Sequence, residues 1–159
     1  MTNMTTMKTS AIIALAAAVL AGCQGAPLAM KGEHNTVSAG DIAVSLEVPK
    51  RFYNVGEKFQ AVVYVQNKTD RPVTISADSG APVFVRLSHH TNVGEVQLKQ
   101  YPQFSLIFVR VWTLNPHEIR SFPLELTVEP DWPSGELIRL SGEVNGRPEI
   151  QPGVMISVN

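Results

Sequence analysis

The sequence predicts an all-β fold, a sandwich or barrel built from short strands. The chain has 159 residues, which is the length of one globular domain. Short runs of alternating or continuous apolar residues recur along it, and Gly, Pro, Asn or Asp residues bound each run. After the first 22 residues, no window shows the apolar stripe at helical spacing that an amphipathic helix needs. We therefore expect nine strands and essentially no helix after residue 22.

The apolar pattern places these strands in order along the chain. Alternation is strict in the first run, IAVSLEV, which ends at Pro49. Pro72 directly precedes the third run, where a proline can begin a strand but cannot lie in its middle. The predicted strands are 42–48, 59–65, 73–77, 83–87, 96–98, 106–114, 122–128, 137–144 and 154–158.

Turn residues separate the strands and support this order. Residues 115–118 (NPHE) and 132–135 (WPSG) each have proline at the second position, which favours a type I turn. Asn145-Gly146 is the strongest hairpin signal, because both residue types tolerate a positive φ. Since Pro148 follows closely, we expect the last strand to begin late, around Pro152-Gly153.

The first 22 residues are typical of a secretory signal peptide. Lys8 precedes the apolar run AIIALAAAVL at 11–20, and small residues follow this run. The run is too short to span a bilayer, which takes about 20 apolar residues. Residues 1–6 carry no charge and no pattern, so translation could start at Met1 or at Met7.

Leu20-Ala21-Gly22-Cys23 resembles the lipobox of bacterial lipoproteins. The resemblance implies cleavage between Gly22 and Cys23, with diacylglycerol on the Cys23 sulfur and an acyl chain such as palmitate on the new amino terminus. Gln24 rather than Asp follows the cysteine, which by the same resemblance implies the outer membrane if the host is Gram-negative. The alternative is that Cys23 is an ordinary residue after an ordinary signal peptide.

The net charge and the cysteine count argue against several classes of function. Cleavage leaves 137 residues with a formal net charge of −2 and no run of Lys or Arg, which argues against nucleic acid as a partner. A single cysteine cannot form an internal disulfide, and it cannot provide the two or more thiolate ligands that a zinc ribbon needs. Residues 23–40 show no period and are predicted to be a flexible tether, so the predicted β-sandwich domain covers 41–159.

Five short segments between Val55 and Val144 mark strand ends and turns: 55–57 (VGE), 65–69 (VQNKT), 112–114 (WTL), 114–118 (LNPHE) and 135–137 (GEL). In this order they resemble a bacterial immunoglobulin-like family named for the BsuPI intracellular proteinase inhibitor. That family usually has glycine where His117 stands and often an aromatic residue where Leu137 stands. The resemblance implies an immunoglobulin-like sandwich of about seven to nine strands.

The candidate sites each have a structural alternative. His34, His89, His90 and His117 are expected to be solvent-exposed loop residues, and neighbouring strand residues point to opposite faces, so we expect no metal site. No nucleophile motif appears, and we expect no catalytic residue and no cofactor.

The segment YPQFSLIFVRVW at 101–112 holds the one candidate partner patch. Phe108, Arg110 and Trp112 share one face of the predicted strand and are residue types common in binding hot spots. The alternative is that the strand is central, with these large side chains buried.

The sequence therefore predicts a protein of the cell envelope, anchored through the lipid on Cys23, with a non-catalytic domain for binding or assembly. Its expected partners are the membrane and another envelope protein. The alternative, implied by the family name, is a proteinase inhibitor acting through an exposed loop, either 89–94 or 78–82.

Overall fold

The computed structural model describes residues 30–77, 80–103 and 111–159, and these ranges form an all-β sandwich. Two of the strands, Glu33–Ala39 and Phe52–Tyr53, have no counterpart in the nine runs of the sequence pattern. The strands are β1 (Glu33–Ala39), β2 (Ile42–Val48), β3 (Phe52–Tyr53), β4 (Lys58–Asn67), β5 (Val73–Ser76), β6 (Val83–Thr91), β7 (Gly94–Tyr101), β8 (Val111–Leu114), β9 (Ile119–Thr127), β10 (Leu137–Val144) and β11 (Gly153–Val158).

Two sheets form the layers of the sandwich. The four-stranded sheet has the order β1-β2-β4-β9, and the five-stranded sheet has the order β3-β11-β10-β6-β7. All pairs in them are antiparallel except β3 with β11, and β5 and β8 form a separate two-stranded sheet. Strands β2, β4 and β9 take the places of A, B and E in an immunoglobulin domain, and β6, β10 and β11 take those of C, F and G. The predicted immunoglobulin-like sandwich is confirmed.

The core lies between the two sheets because each strand turns alternate side chains inward. In β4 every second residue from Phe59 to Val65 is buried, and the residues between them are more exposed. Leu46 of β2, Leu140 of β10 and Ile156 of β11 meet this row and are fully buried. Strict alternation in the sequence therefore did predict the buried face.

Aromatic side chains close one end of the core. The rings of Tyr53 and Phe59 stack with centroids 4.1 Å apart, and Trp132 meets Phe59 edge-on at 6.4 Å. Burial raises the pKa of Tyr53 to about 12. We call this the tether end, because Lys31 and the end of β2 also lie here; the opposite end, where β4 and β10 finish, is the far end.

The prediction of a flexible tether up to Gly40 is wrong for its second half. Residues 33–39 form β1, which pairs with all of β2 from Glu33 opposite Val48 to Ala39 opposite Ile42. The strand is an edge strand with mostly exposed polar side chains, so backbone hydrogen bonds stabilise it and no apolar pattern reveals it. The folded domain begins at about residue 31 instead of residue 41.

Three of the predicted turns differ from the expected types. The amide of Glu118 donates to the Asn115 carbonyl at 3.1 Å, but His117 has a φ of 58°, and a positive φ at this position is that of a type II turn. Likewise the Arg147 amide donates to the Val144 carbonyl at 2.9 Å, with only Gly146 at positive φ. In the segment 132–135, the Gly135 amide donates to Val158 across the sheet, so this segment is no closed turn.

The other predicted strands lie close to their expected places, and the last begins at Gly153 as expected. The run at 106–114 can be assessed only in β8, because residues 104–110 lie outside the described residues. The described ranges contain no helix, and so none that could cross a membrane. The predicted signal peptide, 1–22, also lies outside them.

Candidate functional site

The outer face of the five-stranded sheet carries an organised layer of charged side chains. Arg86 and Ser88 of β6 point to this face, because Leu87 between them points into the core. On the neighbouring β10, Arg139 and Glu143 point the same way, opposite Ser88 and Phe84. The antiparallel pairing of β6 with β10 thus brings together residues that are up to 57 positions apart in sequence.

The central contact of this layer is an ion pair between Arg86 and Glu143. The guanidinium meets both carboxylate oxygens, with Nη1 at 2.9 Å from Oε2 and Nη2 at 3.1 Å from Oε1. Gln151 Nε2 also donates to Oε2 at 3.3 Å. Glu143 is only 6% exposed, and its burial raises its pKa although Arg86 acts in the opposite direction. A paired carboxylate so poorly hydrated is costly to keep ionised.

A second ion pair lies beside the first. Arg139 Nη1 is 3.1 Å from Glu95 Oε2, and Ser88 donates its hydroxyl to the other oxygen of Glu95. The hydrogen bond from Ser88, together with Arg139, holds the pKa of Glu95 below its usual range. Because the Ser88 hydroxyl is buried and already donates to a carboxylate, it offers no accessible nucleophile. We call the four charged residues Arg86, Glu95, Arg139 and Glu143 the charged layer.

Apolar side chains border the charged layer towards the tether end. Leu137 begins β10 and is 62% exposed, and Met155 of β11 lies directly opposite Arg139. Leu137 and Arg139 share a face because they are two residues apart on one strand. The outer face therefore combines exposed apolar groups with hydrogen-bonded charges, the combination that characterises protein interaction surfaces.

A separate feature lies on the outside of the four-stranded sheet, where a cleft of about 370 Å³ surrounds Glu47. Glu47 Oε1 accepts the amides of Lys31 and Gly32 at 2.8 and 3.1 Å, and Oε2 accepts the Tyr64 hydroxyl at 2.9 Å. Burial acts to raise the pKa of Glu47, but these hydrogen bonds together lower it. The carboxylate thus fixes the incoming chain to the sheet, and a ligand would have to displace those donors.

The predicted partner patch is only partly described. Trp112 is 8% exposed and follows the buried alternative, packing edge-on against Phe122 with centroids 5.4 Å apart. The guanidinium of Arg120 lies 5.5 Å from its ring centroid. Phe108 and Arg110 lie outside the described residues, as do Gly22 and the predicted lipid attachment site Cys23.

The histidines do not all lie in loops as expected. His34 is in β1, and His89 and His90 are in β6. Only His117 is in a turn, where its Nε2 lies 2.7 Å from Asp70. His89 meets Glu136 instead. Within the described ranges, no group of three or more His, Cys, Asp or Glu side chains is arranged to hold a metal ion.

The structure describes one of the two candidate inhibitory loops in full and the other only in part. Residues 89–94 form a tight hairpin in which β6 continues to Thr91 and β7 begins at Gly94, so this segment is not a long loop. In the other loop, 78–82, residues 78 and 79 lie outside the described residues.

The charged layer was not predicted from the sequence. Three of its four residues, Arg86, Arg139 and Glu143, are isolated charges on strands that are otherwise largely apolar in sequence. A signal was present in the outward positions of predicted strands 83–87 and 137–144, where Arg86, Arg139 and Glu143 interrupt the pattern. Pairing them required the register of β6 with β10, which one sequence does not supply.

No protein-family model matches the chain, and no curated protein matches it. Among solved structures, it is similar to Spo0M, a sporulation control protein of Bacillus subtilis, with 19% identity and a TM-score of 0.49 over 76% of this chain. It is also similar to the alkylpurine DNA glycosylase AlkC of Pseudomonas fluorescens, with 13% identity and a TM-score of 0.47 over 80% of this chain. The CARDB domain of a Pyrococcus furiosus protein gives 16% and 0.44 over 74% of this chain and 94% of its own.

This chain spans about half of Spo0M and 31% of AlkC. Likenesses this distant assign no function to it. The fold assignment rests on the strand order of the chain itself.

Proposed function

We propose that this protein is a lipid-anchored protein of the cell envelope whose sandwich binds another envelope protein without chemistry of its own. The anchor is the diacylated Cys23 that the lipobox resemblance implies. The observation that supports binding is the outer face of the five-stranded sheet, where the charged layer lies beside exposed Leu137 and Met155. Substituting Cys23 should therefore remove membrane anchoring, and altering this face should remove binding.

The charged layer suits binding better than catalysis. Its four charged side chains form two ion pairs, so neither carboxylate of the layer is left unpaired to act as an acid or a base. Such pairs contribute register and partner discrimination more than raw affinity. The apolar residues beside them would supply the area that a partner buries.

The inhibitor alternative receives less support from the hairpin at 89–94. An inhibitory loop lies extended in a protease cleft and needs free backbone groups there. Here His89, His90 and Thr91 are opposite Val96, Glu95 and Gly94 in the β6–β7 ladder, so their backbone is already paired on one side.

Site-specific photo-crosslinking in the native host tests the proposed binding. A photoreactive residue replaces Leu137 or Met155 in the full chain, and the control replaces Glu125, which is exposed on the other sheet. We expect one discrete crosslinked product from the first two positions and none from the third. Adding Arg139→Glu, which reverses one charge of the layer, should remove the product while the melting temperature of the domain stays close to that of the parent.

Equal crosslinking at all three positions, or a product that survives Arg139→Glu, would show that this face is not the binding site. Acylation of Cys23 is measured independently, by mass spectrometry of the N-terminal peptide.

A further inference from the structure

Exposed apolar side chains gather at the tether end of the sandwich. Val93 is 92% exposed at the tip of the β6–β7 hairpin, and Val55 is 47% exposed in the turn between β3 and β4. Phe52 of β3 is 62% exposed beside that turn. Each of these side chains lies at or next to a loop tip, where it contributes nothing to the core.

Hydrogen bonds place all three at the same end. The Ser157 amide donates to the Arg51 carbonyl at 2.8 Å, so the end of β11 lies beside Phe52. β10 begins next to the end of β11, and His89 near the end of β6 lies opposite Ile138 near the beginning of β10. The β6–β7 hairpin therefore projects from the end that holds β3.

The tips are spread across the width of the sheet. β3 and β7 are the two edges of the five-stranded sheet, four strand spacings apart, which is about 19 Å. A protein partner would need a continuous complementary surface over this width, whereas the lipid interface adapts to separate apolar tips.

Charges near Phe52 are already neutralised within the protein. Lys50 pairs with Glu57 at 2.7 Å, and Arg51 pairs with Glu33 at 2.6 Å. The surface beside Phe52 therefore offers an apolar contact rather than a basic patch, and we expect this contact not to need anionic lipid.

The chain enters the domain at this end. Glu47 holds the amides of Lys31 and Gly32 against the end of β2, and Cys23 lies only seven residues before Met30. Seven residues span at most about 25 Å even when fully extended. A bilayer that holds the acyl chains of Cys23 is therefore always within about 25 Å of the tether end.

We propose that the tether end rests on the bilayer, with Val55, Val93 and Phe52 in the headgroup region. The inference rests on the proposed lipid anchor. A single apolar side chain binds a membrane weakly, but the anchor makes the contact intramolecular and raises the effective lipid concentration. The five-stranded sheet then stands on the bilayer with its outer face and charged layer directed sideways, open to a partner in the same membrane.

Depth-dependent fluorescence quenching tests this orientation on the full lipidated chain in phosphatidylcholine vesicles. Acylation consumes the one native thiol, so Val55→Cys or Val93→Cys each provides a single site for an environment-sensitive dye. Asp70→Cys is the matched control, because Asp70 is an exposed residue at the far end. We expect lipid-borne quenchers to reduce the fluorescence at positions 55 and 93 several-fold more than at position 70, at low and high salt alike.

A second variant checks that apolar contact is responsible. Val93→Glu should reduce the quenching of a dye at position 55 several-fold, because a charged side chain resists entry into the interface. Equal quenching at all three positions, or quenching that high salt abolishes, would overturn the inference. Mass spectrometry separates the two proposals: acylated Cys23 with unquenched tips overturns only the orientation, whereas an unmodified Cys23 overturns the anchor and the orientation together.

Discussion

Burial in the folded domain disfavours the charged form of Glu143. Its burial raises its pKa above the ordinary value of 4.5 even though Arg86 contacts both of its oxygens. The folded state therefore holds this proton at a higher pH than the unfolded state does. The contribution of Glu143 to stability is fully present below about pH 4.5 and is lost as the pH rises through the raised pKa.

Glu143→Gln should therefore change the pH dependence of stability. Between pH 4 and pH 7, we expect the free energy of unfolding of the wild type to fall relative to that of the variant, measured by urea denaturation at a series of pH values. Glu125→Gln, on the exposed face of β9, is the control. A difference between wild type and Glu143→Gln that does not vary with pH would contradict the assignment.

Trp112→Ala should strongly destabilise the domain. The indole is buried against Phe122 and under the guanidinium of Arg120, so its removal leaves a cavity that costs about 3–5 kcal/mol in unfolding free energy. Val111→Ala, next to it on the exposed face of β8, should change stability by less than about 0.5 kcal/mol. If chemical denaturation gave both variants the same small loss, Trp112 would not belong to the core.

His117→Gly should stabilise the turn between β8 and β9. His117 has a φ of 58°, a left-handed conformation that costs a residue with a Cβ about 1–2 kcal/mol. His117→Ala keeps that cost and loses the same exposed contact with Asp70. We therefore expect the glycine variant to melt at a higher temperature than the alanine variant. The reverse order would show that the left-handed backbone at position 117 does not favour glycine over alanine.

At the scale of elements, β1 protects an apolar edge. It covers β2, in which six of the seven residues are buried, and its Val37 and Ala39 pack against the core. A chain beginning at Asp41 should keep a β-type circular dichroism spectrum but lose unfolding free energy relative to one beginning at Met30. It should also associate in size-exclusion chromatography, because an uncovered apolar edge strand pairs with other chains. Equal stability and a monomeric profile would show that β1 is dispensable.

The sequence pattern was sufficient for strands that turn one face to the core. The alternation in β4 and β11 survives in the structure almost residue for residue, whereas in β2 six of the seven residues are buried. It failed for β1 and β3, because an exposed edge strand and a two-residue strand carry no apolar period. The sequence pattern did not predict the turn types either. His117 has a positive φ, which histidine does not favour, and only the resemblance to a family with glycine at this position indicated it.

The candidate site was less predictable than the fold. The pairs Arg86–Glu143 and Arg139–Glu95 join residues 57 and 44 positions apart, so they depend on register, and register depends on the whole sheet. The exposed tips at Val55 and Val93 are likewise ordinary loop residues in the sequence. They lie at the same end of the sandwich only because β3 and the β6–β7 hairpin are at that end.

For the whole molecule, the strand order and the proposed anchor give a consistent arrangement. Only a few residues separate Cys23 from Lys31 and Gly32, whose amides donate to Glu47 at the tether end. The apolar tips lie at the same end. The charged layer lies on a side of the sandwich. Binding through that layer would leave the anchor and the apolar tips free to stay in the bilayer.

The most direct test is subcellular fractionation of two chains after a high-salt wash. One is the full sequence, and the other has a cleavable signal peptide and no Cys23. Several acyl chains on one residue give stable anchoring, whereas isolated valine and phenylalanine side chains give only weak binding. We expect the full sequence in the membrane fraction and the cysteine-free chain fully soluble. A cysteine-free chain that stays with the membranes would place the anchor elsewhere and contradict the account.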